Sequence, residues 1–218
     1  MSERWGFIDI IKLISKNQFL SEKEIFEYTE LILNQLNLID GVNNIVFDDI
    51  NSFALYNYDK KILILNIKKI LKYYQYNLNI QSNVSNLYYF VNLEIIKIIM
   101  HEINHVKQHK NPNEVIAFSV LRENKLKFDK KYDELMYRCN PLERQSSIFS
   151  ICYLISNNVI NKNFLKMYYE ELLRIIKFGY EKLYPAKIYF DDTMLLNKLN
   201  NLPFSFNNKI EYGLDLKI

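Results

Sequence analysis

Glycine and proline are scarce in this 218-residue chain, at four each. Few positions therefore force a turn or break a helix, and a mostly helical chain is expected. Cysteine is scarcer still, with Cys139 and Cys152 alone. Their spacing is neither CxxC nor that of a zinc ribbon, so free core thiols in a reducing compartment are expected rather than a disulfide framework. Long apolar runs are missing: nothing approaches the roughly 18 residues that a membrane span requires. The opening MSERWGFIDIIKLISKNQF holds only a short apolar stretch and no small-residue cleavage site, so no secretory signal is expected. The expected location is cytoplasmic, without a membrane partner.

An excess of one charge is also absent. The formal net charge of +3 is too small to imply a nucleic-acid partner. One local basic run exists, with Lys107, Lys110, Arg122, Lys125, Lys127, Lys130 and Lys131 against Glu114, Glu123 and Asp129. A solvated helix face is the first reading of such a run, and a patch for an anionic partner is the second. What remains is ordinary for a globular protein, 49% hydrophobic and 24% charged, and the length suffices for a real core.

Helix signals open and close the chain. Ser21 with Glu24 makes a capping box ahead of Ile25, Tyr28, Ile32 and Leu36 at helical spacing. An earlier helix is expected over residues 8–16, and Asp40-Gly41 ends this region with a turn. The character changes over residues 44–66. NIVFDD, SFALYNY and KILILN are short and rich in β-branched and aromatic residues, with a hairpin turn at residues 58–61, which predicts a small, mostly antiparallel sheet. Helices are then expected over residues 67–76, 87–110, 140–157 and 161–181. Asn111-Pro112 and Asn140-Pro141 each supply a cap and a first-turn proline. A further strand (KIYF) and a short helix are expected after Pro185. With no linker or repeat, the whole of 1–218 reads as one α+β domain: a core over about 45–157, N-terminal helices over 1–40 and a helical extension over 160–218.

Within the helix over 87–110 lies His101-Glu102-Ile103-Asn104-His105. Residues four apart on a helix share a face, so both imidazoles can converge on one ion. Glu102 sits about 100° round from His101, beside such an ion rather than on it. Zinc lowers the pKa of a bound water toward neutrality, and the Glu102 carboxylate is placed to take its proton as general base. The helix pattern supports this. Glu94, Lys97, His101, His105 and Gln108 form one polar stripe, whereas Ile95, Ile96, Ile99, Ile103 and Val106 cluster opposite. Core histidines would lie on the isoleucine face. A chance match on a solvated face is the competing reading, set against two of only three histidines flanking this glutamate. His109, two turns from His101 and about 12 Å along the axis, is too far to share the ion and reads as a rim residue. The longer metzincin pattern needs a glycine after His105, and none follows.

A third ligand is then expected to be a carboxylate, as in His₂Glu zinc sites. Glu143, at the start of a separate helix, is the choice. The alternative role for Glu143 is to close the Asn140 capping box, and Glu114, Glu123, Asp133 and Glu134 compete as ligands.

HEINH (101–105) and NPLERQSS (140–147) together resemble the zincin metallopeptidases of the gluzincin-like group, which pair HExxH with a downstream glutamate. The second motif is similar to the Glu-bearing helix of small bacterial and phage members, among them peptidases that cleave phage repressors. Those usually carry alanine three residues after the glutamate, where this chain has Ser146. The resemblance spans residues 45–157 and implies a small sheet ahead of the active-site helix, with an edge strand that pairs with a peptide substrate. KILILN is the candidate strand, against a simple role as a buried strand. An oxyanion stabiliser is implied near the zinc, with Tyr132, Tyr137 and Arg144 as candidates.

The resulting expectation is a zinc metallopeptidase acting on a protein or peptide. Metal ligands are His101, His105 and Glu143, and the catalytic residue is Glu102. Two other classes stand beside it. One is an inactive zincin-like binding or regulatory module, for which Glu102→Gln would change nothing. The other is a nucleic-acid-associated regulator using the basic run, whose binding would depend on salt and not on zinc.

Overall fold

Ser21 caps the first long helix through both halves of the capping box: Ser21 Oγ accepts from the Glu24 amide at 3.3 Å, and Glu24 Oε2 accepts from the Ser21 amide at 2.8 Å. This helix, α2 (Glu22–Gln35), follows α1 (Phe7–Ile14). Ile25, Tyr28, Ile32 and Leu33 form its buried face, but Leu36, expected in that stripe, is 39% exposed. The helix stops at Gln35, so Leu36 is the C-cap residue and has left the apolar face. The computed structural model describes residues 7–78, 84–110, 141–157 and 159–182.

A 3-10 turn over Ile39–Gly41 leads into the sheet. A Cβ at Gly41 would lie 2.6 Å from Val106 Cγ1, so only glycine lets this turn sit against the later long helix. The strands are β1 (Asn44–Phe47), β2 (Ala54–Asn57) and β3 (Ile62–Leu65), in spatial order β1-β3-β2. β2 and β3 form the expected hairpin. Its turn is closed by the Lys60 amide donating to Asn57 Oδ1 at 3.1 Å, with Lys61 in the left-handed region at φ 53°.

Two expectations about the sheet are corrected here. The sheet is mixed rather than mostly antiparallel, because residues 48–53 carry the chain past the position that β3 later fills. β3 therefore returns parallel to β1 and antiparallel to β2. KILILN is accordingly the central strand, not an edge. Leu63 and Leu65 are fully buried there, and the edges belong to β1 and β2.

Four further helices complete the described residues: α3 (Ile67–Leu78), α4 (Val84–His109), α5 (Pro141–Ser156) and α6 (Lys162–Lys182). The architecture is α+β, with α4 at its centre. Ile95, Ile96, Ile99, Ile103 and Val106 are all fully buried. They form one face of α4, in the core shared with the buried face of the sheet and α2. Asn92 ties α4 to the loop before α2, accepting from the Leu20 amide at 3.0 Å and donating to the Gln18 carbonyl at 2.9 Å. The opposite, polar stripe of α4 is also internal: Glu94, Asn104 and Gln108 are each 3% exposed. Such a stripe requires partners, and α5 and α6 supply them. Of the described helices, none is long and apolar enough to cross a membrane.

The segments over 111–140 and 183–218 lie outside the described residues. With them lie Cys139, the competing ligands Glu114, Glu123, Asp133 and Glu134, the candidates Tyr132 and Tyr137, the Asn140 cap, the KIYF strand and most of the basic run. The two described members of that run are engaged within the chain. The Lys107 ammonium lies 5.6 Å from the Phe149 ring centroid, and Lys110 pairs with Asp40.

Candidate metal centre

His101 and His105 stand one turn apart on α4, their rings 4.8 Å apart at 77°. Glu143 projects from the first turn of α5 onto the pair. His101 Nε2 and His105 Nε2 are 3.1 Å apart, and Glu143 Oε2 lies 3.1 Å from the first and 3.4 Å from the second. Zinc bonds of about 2.0–2.2 Å at tetrahedral angles would separate neighbouring donor atoms by roughly 3.3–3.5 Å. The three atoms come close to that triangle and form a group able to hold a metal ion. Their side chains are 13–20% exposed, so the group lies at a cleft rather than in the core or in open solvent.

The alignment of α4 with α5 comes from hydrogen bonds across their contact. Gln108 Nε2 donates to the Leu142 carbonyl at 3.1 Å and to Gln145 Oε1 at 2.8 Å. With both amide hydrogens so directed, Gln108 Oε1 faces His105 Nδ1 at 2.8 Å and accepts from it. His105 thus carries a hydrogen on Nδ1, which leaves Nε2 as the nitrogen that can ligate a metal. Asn104 Nδ2 donates to Ser146 Oγ at 3.1 Å, and the same hydroxyl lies 3.3 Å from His105 Nδ1. Ser147 Oγ stands 3.4 Å from His101 Nδ1. Burial opposes protonation of His105, but its bond to Glu143 and the charges of Glu102 and Glu143 outweigh this and raise its pKa. A carboxylate field that favours a proton there also favours a metal cation, which would compete with that proton.

Glu102 is not part of the triangle. It is 8% exposed, and its Oε2 accepts the Tyr56 amide of β2 at 2.8 Å. This bond follows from the strand register. The Asn66 amide donates to the Phe53 carbonyl, so Phe53, Leu55 and Asn57 turn their backbone groups toward β3, while Ala54 and Tyr56 turn theirs outward. Burial raises the Glu102 carboxyl above its ordinary range, with Glu143 adding to the effect and the two imidazoles and the Tyr56 amide opposing it.

A cavity of about 380 Å³ opens beside His101 and Glu102. Its walls are Phe53 and Ala54 from the sheet side, Lys97 and Ile98 from α4, Ser147, Ser150 and Ile151 from α5, and Glu171 from α6. His109 is not in the metal group; it stacks on Tyr58 with ring centroids 4.6 Å apart, at the end of α4. Arg144 is buried at 5% and does not line the cavity.

The structure therefore brings His101, His105 and Glu143 together, with Glu102 beside them. The sequence reading gave no role to Gln108, Ser147 or the Tyr56 amide, and treated Ser146 as a mere departure. Gln108 carried a signal: it lies three residues beyond His105 on the same polar stripe. The Tyr56 contact carried none, because a backbone amide has no identity in the sequence. Comparison with protein-family models, curated proteins and solved structures finds no match, so the site rests on its own geometry.

Proposed function

We propose that the chain is a zinc-dependent metallopeptidase of zincin type, with His101, His105 and Glu143 as ligands and Glu102 as general base. The convergence of three donor atoms at 3.1–3.4 Å carries this reading, supported by the HExxH spacing and by the tautomer that Gln108 imposes on His105. Zinc, when bound there, would acidify water and polarise a substrate carbonyl. Every other role falls to the chain's own groups. Glu102 has one oxygen fixed by the Tyr56 amide and faces the cavity. Its pKa, raised by burial, moves toward the range in which a carboxyl can take a proton and return it to a leaving amine. The outward-facing backbone of Ala54, in the cavity wall, is suited to pair with an extended peptide, so β2 replaces β3 as the strand proposed to hold substrate.

Elemental analysis of the purified protein tests the metal, and peptide-mixture cleavage tests the activity. The expected result is about one zinc per chain, lost in both His101→Ala and Glu143→Ala, with cleavage abolished by Glu102→Gln although its zinc stays. Absence of zinc after it has been supplied would remove the proposal. Zinc binding with a function indifferent to Glu102→Gln would instead make the chain a metal-bearing binding module.

A further inference from the structure

The cavity does not end at the histidines. Its far wall is made by Lys97 and Glu171, which belong to a buried charge network that the proposed reaction does not use. Lys97 Nζ lies 2.8 Å from Glu94 Oε2 and 3.3 Å from both oxygens of Glu171. Glu94 is otherwise saturated, accepting the hydroxyls of Tyr74 and Tyr168 at 2.5 Å each. Its side chain is only 4% exposed, against 26% for Glu171. Two carboxylates thus face one ammonium. Glu94, the nearer and drier, balances Lys97, and the remaining negative charge rests on Glu171, the one of these two carboxylates that lines the cavity. Lys69, the other cation of the wall, is held on the Asn51 carbonyl.

We propose that this end of the cavity is a charge-reading subsite in which Glu171 receives the basic side chain of a peptide substrate, an inference that rests on the peptidase reading. Phe53, Ile98 and Ile151 give the cavity that His101 and Glu171 both line an apolar surface. A lysine or arginine matches such a lining, with an apolar stem along the walls and a charged head at the carboxylate. The distance also suits a side chain rather than the reacting carbonyl. Lys97 leans back over Glu94, and seven residues of helix put that level about 10 Å from His101. A volume near 380 Å³ is at the small end for ligand pockets and fits one side chain with its adjoining backbone.

The test uses the full chain loaded with zinc and three amino-acid hydroxamates that share a metal-binding head. Lysine, norleucine and glutamate hydroxamates are titrated calorimetrically into the wild type and Glu171→Gln. The wild type is expected to bind the lysine probe about tenfold more tightly than its norleucine isostere, and the ratio is expected to fall to about one in Glu171→Gln. Equal affinities in the wild type, or a ratio that survives in the variant, overturn the subsite and leave the peptidase reading standing. Tightest binding of the glutamate probe overturns it too, since Lys97 would then be the reader. If no zinc is taken up and no probe binds, both readings fall together. Should the variant fail to fold, the wild-type ranking alone decides.

Discussion

Around Glu94 and Lys97 the polar stripe of α4 contains both signs of charge, whereas one turn further, around His101 and His105, it contains acceptors and a carboxylate. The first stretch is closed. Glu94 holds two tyrosine hydroxyls and an ammonium, and Glu171 completes the set. Burial and the Glu94 charge keep Tyr74 and Tyr168 protonated far above the usual range. Burial works against the Lys97 charge, but the two glutamates more than restore it. The second stretch is open. His105 Nε2 faces His101 Nε2 and Glu143 Oε2, and the three side chains form a group able to hold a metal ion. A buried polar cluster with its own cation serves stability; one in which two imidazoles and a carboxylate converge is suited to take a cation from solution.

The largest expected effect follows directly. Glu94→Ala leaves Lys97 with Glu171 alone and removes the acceptor of two buried hydroxyls, so it should cost about 3–5 kcal/mol in urea denaturation. Glu143→Ala removes a carboxylate from two part-exposed imidazoles and should cost the metal-free protein less than about 1 kcal/mol. Equal losses in the two variants would break the comparison. The cost of Glu94→Ala is also expected to shrink at alkaline pH. Unfolded tyrosine and lysine titrate near 10 and 10.4, and all three partners are raised in the folded chain. The stability they contribute is therefore complete below about pH 10 and is lost as pH rises beyond it.

These two stretches were unequally legible in the sequence. Helical spacing alone placed Glu94, Lys97, His101, His105 and Gln108 on one face, because 3.6 residues per turn is local geometry. The Ser21–Glu24 box and the β2–β3 hairpin were legible for the same reason. What the stripe faces was not, since Glu143 and Glu171 arrive from helices 42 and 74 residues away in contact. For Glu143 a second motif bridged that gap; for Glu171, an ordinary helical glutamate, nothing did. Strand order failed for a related reason. KILILN reads equally well as an edge or a central strand, and only the path of residues 48–53 past it decides.

A smaller effect sharpens the open half of the comparison. Gln108→Leu keeps most of the volume of a 3% exposed side chain but releases His105 Nδ1 from its acceptor. Zinc affinity, read by competition with a chromophoric chelator, is expected to fall by about 10–100-fold. Unchanged affinity would mean that Gln108 only packs α4 against α5 and that the tautomer of His105 is set elsewhere.

The smallest effect separates orienting from packing at Ser146. Its hydroxyl is fully buried, accepts from Asn104 at 3.1 Å and stands 3.3 Å from His105 Nδ1, whereas Gln108 approaches the same nitrogen to 2.8 Å. The shorter contact should control the ring. Ser146→Ala leaves the buried Asn104 amide without this acceptor. A loss of about 1 kcal/mol in stability is expected, with zinc affinity changed by less than about threefold. The opposite pattern, stable protein with zinc affinity down by about tenfold or more, would transfer the orienting role from Gln108 to Ser146. The serine would then be a ligand-supporting residue rather than one that only packs α5 against Asn104.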